Sequence, residues 1–324
     1  GGIFLSSFMS DVIAELLLQP YSLSDAERVR KLLSLSRLGM VPLSNASTWP
    51  INYPQHCNGT RQSPINIVSA SARPNDNLTE IHFENYNDTS KIDFIENNDN
   101  TGENVRVKLK EGVNITGGNL SGQYQTVQFH FHWGNGSSVP GSDHTVDGKR
   151  YPMEVQIFFP CHNGDIDRSL WYIHITNKKK IQLYHLIFPV AYCEHQPESW
   201  RNLTSYLAKI TERGNTGFSL KDLLGNVSLS KYYRYLGSLT TPNCSEAVVW
   251  TVFKEPIKVS KDLIDLFSTT VHFNNSTSQL MTNVYRSLQP AQQVWTQSIK
   301  ASASTTCFSL GPLLLSFALG WSWS

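Results

Sequence analysis

The chain has 324 residues, of which 40% are hydrophobic and 16% are charged; this is typical of a globular protein and excludes a largely disordered one. The net charge is +1 and the basic residues form no stripe, so nothing in the composition predicts nucleic-acid binding. Five cysteines in a chain of this length exclude a miniprotein held together mainly by disulfides.

Residues 1–48 are predicted to form a separate segment that is partly helical. Ser24 and Glu27 make a capping box, and Val29, Leu32 and Leu33 form an apolar stripe behind it. A stripe of this kind is more often a packing face than a binding site. We therefore assign no function to this segment.

From Trp49 the chain becomes a series of short alternating strands separated by Asn, Gly and Pro. The clearest strands are predicted over residues 65–68, 81–86, 105–109, 126–133, 154–159 and 247–253. Helices are predicted over residues 199–210 and 260–268. This pattern favours a mainly β domain over residues 49–292, with one large antiparallel sheet and peripheral helices.

Two histidines, His130 and His132, are separated by one residue inside the strand predicted over 126–133. Alternate side chains of a strand share a face, so both imidazoles are predicted to point the same way. Neutral imidazoles are good Zn²⁺ ligands, and a pair on a rigid strand is half of a tetrahedral site. The alternative is a pair of half-buried histidines that bond only to backbone groups.

Glycosylation sequons are dense along the chain and predict an extracellular surface. They begin at Asn45, Asn58, Asn77, Asn87, Asn114, Asn119, Asn135, Asn202, Asn226 and Asn274. Residues 293–324 are predicted to be a linker and an apolar tail without a charge after Lys300. Small residues before such a tail favour a GPI-attachment signal and the outer face of the plasma membrane. A retained anchor, a merely apolar tail and secretion remain alternatives.

Longer motifs accompany the histidine pair in a fixed order. They are RQSPINI at 61–67, QFHFHWG at 128–134, GSDHTVDGKRYPME at 141–154, GSLTTP at 237–242 and NVYRSLQP at 283–290. Together they resemble the α-class carbonic anhydrases, particularly the secreted and GPI-anchored members. The resemblance implies a twisted, mostly antiparallel sheet of about ten strands, as well as a Zn²⁺ cofactor. It also implies reversible hydration of carbon dioxide to bicarbonate.

The resemblance also implies roles for individual residues. His130 and His132 would bind zinc, and Thr240 would orient the attacking water with Asp143 as its acidic partner. The residues that would orient the ligands are Gln128, Glu154 and His144. Carbon dioxide would lie against an apolar wall, which we call the CO₂-facing wall. It would be formed by Phe158, Leu239, Thr241, Val248 and Trp250. Cys57 and Cys244 match the disulfide of extracellular members, which fits an oxidising compartment.

One ligand position departs from the family pattern, because Gln156 stands where the third histidine is expected. A carboxamide oxygen is a weaker zinc donor than imidazole, so a site made of His130, His132 and Gln156 predicts impaired activity. The alternative is an acatalytic extracellular binding module; the sequence does not identify its protein partner.

Residues 157–189 also match the family poorly. Pro160 lacks an N–H group and predicts that the strand stops at Phe159. Residues 181–190 are an apolar candidate for the missing neighbouring strand. A diverged member and a mis-assembled coding sequence both remain open as explanations.

Overall fold

The computed structural model describes residues 49–97, 105–136, 138–159, 183–209, 211–213, 216–242, 244–273 and 277–298. The predicted N-terminal helix and the part of the predicted tail after residue 298 lie outside these residues. Residues 293–298 of the predicted linker are described, and they include a strand of the main sheet at Trp295–Gln297. Within the described ranges no helix is long and apolar enough to cross a membrane.

Most of the described secondary structure is β, in agreement with the predicted class. The helices are α1 (Trp49–Asn52), α2 (Glu198–Thr204), α3 (Leu220–Leu224) and α4 (Lys261–Thr270). The strands of the first half are β1 (Asn66–Ile67), β2 (Arg73–Asn75), β3 (Ile81–Glu84), β4 (Ile92–Asn97), β5 (Val105–Leu109), β6 (Asn114–Gly117), β7 (Tyr124–Gln125), β8 (Gln128–Trp133), β9 (Thr145–Val146) and β10 (Lys149–Arg150). The later strands are β11 (Met153–Phe159), β12 (Leu183–Cys193), β13 (Thr211–Arg213), β14 (Tyr232–Gly237), β15 (Val248–Phe253), β16 (Ile257–Ser260) and β17 (Trp295–Gln297).

One large sheet organises the described part of the chain. Its strand order is β13-β4-β5-β8-β11-β12-β15-β14-β17-β2, and β16 pairs with β12 outside this path. Most neighbours are antiparallel, but β12 runs parallel to β15 and β16, and β17 runs parallel to β2. The sheet is therefore mixed, with the mostly antiparallel character that the motifs implied.

The two faces of this sheet carry different cores. Phe129, Phe131 and Trp133 of β8 are buried in the main hydrophobic cluster, where the Phe131 ring contacts Trp200 of α2 and Phe267 of α4. Burying one such side chain contributes about 1.5–3 kcal/mol. A second cluster on the opposite face of the sheet includes side chains of β12, β14 and β15. His130 and His132 point to this second side, as the period of two predicted.

The neighbouring strand that the family motifs do not identify is β12, which lies between β11 and β15. Its register with β11 pairs Phe158 with His185 and Gln156 with Ile187. The apolar run at 181–190 is thus confirmed as the neighbouring strand from Leu183 onward. Strand β11 is described as far as Phe159, and the predicted effect of Pro160 lies outside the described residues. Strand β14 was not predicted. Five of its six residues are buried, on both faces of the strand, so its sequence lacks the alternation of polar and apolar residues that marks a half-exposed strand.

The predicted disulfide between Cys57 and Cys244 is present and joins positions 187 residues apart. Both cysteines are buried against Trp49 and Tyr53. The disulfide therefore ties the start of the domain to the loop that follows Thr240.

Candidate metal centre

The centre is built on the neighbouring strands β8 and β11, whose register places His130 opposite Gln156 and His132 opposite Glu154. The two imidazole rings have centroids 5.2 Å apart. Nδ1 of His132 lies 2.8 Å from the carbonyl oxygen of Val284. Because a carbonyl only accepts, Nδ1 carries a proton, which leaves Nε2 as the nitrogen through which this ring could bind a metal.

His130 is held in a similar way by the Gln128 side chain. Its Nδ1 lies 3.3 Å from Oε1 of Gln128, the contact expected of an orienting residue. Burial holds the pKa of His130 well below its usual value, and the neighbouring His132, His185 and Arg106 lower it further. The ring is therefore neutral near pH 7, the form in which imidazole binds metals.

Gln156 is buried, with 1% of its surface exposed, and its amide has one defined orientation. Nε2 donates to Oε1 of Glu154 at 2.9 Å and to Oδ2 of Asp143 at 3.1 Å. Carboxylates only accept, so the nitrogen faces them, and Gln156 lies opposite His130 in the register of β8 and β11. The amide oxygen is thus directed toward the histidine pair.

A chain of buried polar groups supports Glu154 from behind. Glu154 accepts from the backbone N–H of His144 at 2.9 Å and from its Nδ1 at 3.0 Å. Burial alone would raise the pKa of Glu154, but the His144 ring and its hydrogen bonds bring the pKa below the usual value. Nε2 of His144 lies 2.6 Å from the hydroxyl of Tyr235, which donates to Ser63. Sequence reasoning found His144 but missed Tyr235.

Asp143 is fully buried, and both of its carboxylate oxygens are occupied. Oδ1 accepts from the backbone N–H of Arg286 at 2.9 Å, and Oδ2 accepts from Gln156. Thr240 is buried too, yet among the described residues no hydrogen bond joins it to Asp143. The shorter aspartate side chain bonds to the Gln156 amide instead, so the catalytic roles of Thr240 and Asp143 stay predictions.

The structure places most residues of the predicted CO₂-facing wall close to one another. Val248 and Trp250 are buried in the second cluster, and Leu239 packs against it. Phe158 is half-buried on β11, and Thr241 is half-buried in the loop after Thr240. These positions agree with a common apolar surface beside the histidine pair.

His185 of β12 is a further member of this region that sequence reasoning missed. Its ring centroid lies 5.1 Å from that of Phe158 and 4.6 Å from that of Trp250. The sequence did contain a signal for it, because β12 is otherwise apolar or uncharged and His185 is its only histidine, lysine or arginine. It was overlooked because this segment matched no family motif.

The donors at the centre fit a zinc ion, although weakly. Two imidazoles project from one face of β8, and the carboxylates direct the amide oxygen of Gln156 toward them. Among the described residues, His, Cys, Asp and Glu alone form no group of three or more that could hold a metal. Within the described ranges, the candidate for a third protein donor is Gln156, whose neutral oxygen is a poorer zinc ligand than imidazole.

Comparison with known proteins gives one consistent family. A sequence model of eukaryotic-type carbonic anhydrases matches residues 44–298. The chain is 36% identical to carbonic anhydrase 4 of Oryctolagus cuniculus over 250 residues, covering 74% of this chain and 76% of that protein. It is 31% identical to carbonic anhydrase 12 of Homo sapiens, over 84% of this chain and 76% of that protein. It is also 31% identical to receptor-type tyrosine-protein phosphatase zeta of Homo sapiens, over 72% of this chain and 10% of that protein.

Proposed function

Because the chain belongs to the eukaryotic-type carbonic anhydrase family, we propose that it is a cell-surface member whose capacity to hydrate carbon dioxide is strongly reduced. The family supports zinc-dependent interconversion of carbon dioxide and bicarbonate in general. The reduced activity is inferred from Gln156, whose amide oxygen stands at the position where the motifs predict an imidazole. A change in the coordinating group itself costs at least as much as the loss of a supporting residue, about 10–100-fold in metal affinity or activity.

Zinc binding, the orientation of the donors and the apolar surroundings of the centre are assigned to different residues of this chain. His130, His132 and Gln156 would hold zinc, which supplies the Lewis acidity that makes water nucleophilic at neutral pH. Glu154 fixes the amide of Gln156, and the carbonyl of Val284 fixes the ring of His132. The second cluster keeps one side of the centre apolar.

Carbon dioxide hydration by the purified full chain with added zinc tests this proposal. We expect a rate above that of buffer but far below that of Gln156→His. Gln128→Glu is a useful comparison because it alters a residue that orients His130 while leaving all three donors in place. No rate above buffer in either the wild type or Gln156→His would contradict the proposal.

The cell-surface location rests on separate observations. Six sequon asparagines in the described residues are exposed: Asn58, Asn77, Asn87, Asn119, Asn135 and Asn226. The buried disulfide requires an oxidising compartment to form, and the apolar tail suits a GPI signal. Release of the protein from cells by a GPI-specific phospholipase, together with a mass loss after glycosidase treatment, would support this location. Retention after phospholipase treatment would contradict the lipid anchor.

A second candidate function is an acatalytic binding module on the cell surface. It is favoured by the hydrogen bonds that engage both N–H groups of Gln156 inside the protein. The similarity to a stretch of a receptor-type phosphatase is compatible with it. Zinc that stays bound stoichiometrically in the presence of chelator would argue against this candidate.

A further inference from the structure

His185 is a buried imidazole for which the fold provides no polar partner. Only 4% of its surface is exposed, and neither Nδ1 nor Nε2 has a hydrogen-bond partner among the described residues. Buried polar groups are normally satisfied, and leaving one unpaired costs about 1–3 kcal/mol. Such a residue is tolerated in a core mainly where it has another role.

The position of His185 suggests that role. In the sheet register Phe158 of β11 pairs with His185 of β12, and His185 pairs with Trp250 of β15. Phe158 and Trp250 are both predicted members of the CO₂-facing wall, and the ring of His185 contacts the rings of both. His185 therefore lies in the middle of this wall rather than beside it.

An imidazole changes what this wall can accept. Its N–H group and its lone pair favour water or another polar molecule over carbon dioxide, which is apolar and has no hydrogen to donate. The ring also fills volume between two aromatic side chains. Burial, with the neighbouring His144 and His132, lowers the pKa of His185 to about 3 despite the opposing effect of Glu154, so the ring is neutral near pH 7.

We propose that His185 is a specificity-determining residue that keeps carbon dioxide off the wall, an obstacle separate from the weak zinc donor Gln156. The inference rests on the proposed function, because it assumes that carbon dioxide would otherwise be the substrate. A hydrophobic pocket discriminates about 10–200-fold in kcat/KM between substrates that differ by one methylene group, so a misfit of this size between carbon dioxide and the wall has an effect of that order. Removing the ring should therefore raise kcat/KM by at least about tenfold once zinc is well bound.

The test compares Gln156→His with the double variants Gln156→His/His185→Val and Gln156→His/Leu186→Val. Leu186 is the matched control, since it is equally buried on the same strand but lies in the main core. We expect the His185→Val double variant to exceed Gln156→His by at least about tenfold in kcat/KM, with no gain from the Leu186→Val control. Equal rates for all three zinc-loaded proteins would overturn the inference and leave the proposed function intact.

A second readout does not depend on zinc. Crystals of the metal-free wild type and of His185→Val are pressurised with carbon dioxide, and density is sought between Phe158 and Trp250. Density in His185→Val alone supports the inference, whereas density in the wild type, or in neither protein, overturns it. If Gln156→His fails to bind zinc, the proposed function fails, and this readout alone decides the role of His185.

Discussion

Nε2 of Gln156 lies 2.9 Å from Oε1 of Glu154, and this hydrogen bond, with a second one to Asp143, sets which end of the amide faces the histidine pair. In the family pattern, the glutamate at this position would orient an imidazole through its outer N–H group. Here the same carboxylate orients an amide, so the supporting groups are retained although the donor has changed.

Replacing that donor with imidazole should restore metal binding. For Gln156→His we expect zinc affinity to rise by at least about 10–100-fold, because imidazole is the better donor and Glu154 can accept from its outer N–H group. Competition with a zinc-sensitive chelating dye measures the change. If the affinity does not rise, Gln156 is not the cause of weak metal binding, and the proposed function fails.

Removing the amide should destabilise the fold even without a metal. Gln156→Leu leaves Oδ2 of Asp143 without its amide donor in a buried site, and we expect a loss of about 1–3 kcal/mol in the free energy of unfolding. Chemical denaturation of the metal-free protein measures it. Gln156→His retains an N–H group toward Glu154 and should lose less. Equal stability of Gln156→Leu and wild type would show that the hydrogen bonds contribute nothing.

His185 should make the stability depend on pH. Its pKa is about 3 in the folded protein against 6.5 for the ordinary group. Between these values the unfolded chain binds more protons, so this stabilisation is complete above pH 6.5 and is lost as the pH falls toward 3. The loss is at most about 1.4 kcal/mol per pH unit. Urea unfolding from pH 4 to 7 should show a shallower decline for His185→Val; parallel profiles would contradict the assignment.

The disulfide should stabilise the domain strongly, because it closes a loop of 187 residues in the unfolded chain. We expect Cys57→Ser/Cys244→Ser to lose about 2–5 kcal/mol in the free energy of unfolding. Guanidinium unfolding with and without reductant measures it. Reductant should lower the stability of the wild type and leave the double variant unchanged. A similar loss in both would point to another effect of the reductant.

A methyl group at Gly141 should disrupt the loop that carries Asp143. A Cβ there would lie 1.8 Å from the backbone nitrogen of Gly134 and 1.9 Å from the carbonyl carbon of Trp133, so the backbone must move. We expect Gly141→Ala to lower stability by at least about 1–3 kcal/mol. Gly122 has open space, and Gly122→Ala should stay within about 0.5 kcal/mol of wild type. Thermal unfolding of both variants measures the difference. Equal melting temperatures would show that the backbone at Gly141 does not approach that of Trp133 and Gly134 so closely.

The sequence predicted the parts of the centre that depend on local periodicity and on motifs. The period of two placed His130 and His132 on one face of β8, and the motifs placed Glu154 and His144 nearby. Periodicity could not reveal His185, because its place in the wall depends on the register between β11 and β12. That register joins strands separated by a segment without a family motif.

The orientation of Gln156 was also beyond the reach of sequence patterns. An amide can present either its nitrogen or its oxygen, and the choice depends on the two carboxylates that surround it. Asp143 was predicted to bind Thr240, and only the packed structure shows that Gln156 and Arg286 occupy its oxygens.

Several contacts of the centre join residues that are far apart in the chain. The carbonyl that holds His132 belongs to Val284, 152 residues later, and the Tyr235 hydroxyl donates to Ser63, 172 residues earlier. A contact of such high sequence separation requires a long loop to be closed, which costs chain entropy. During synthesis the centre therefore cannot be completed until Val284 has left the ribosome. A chain truncated before that residue would retain both histidines but lack the carbonyl that sets the ring of His132.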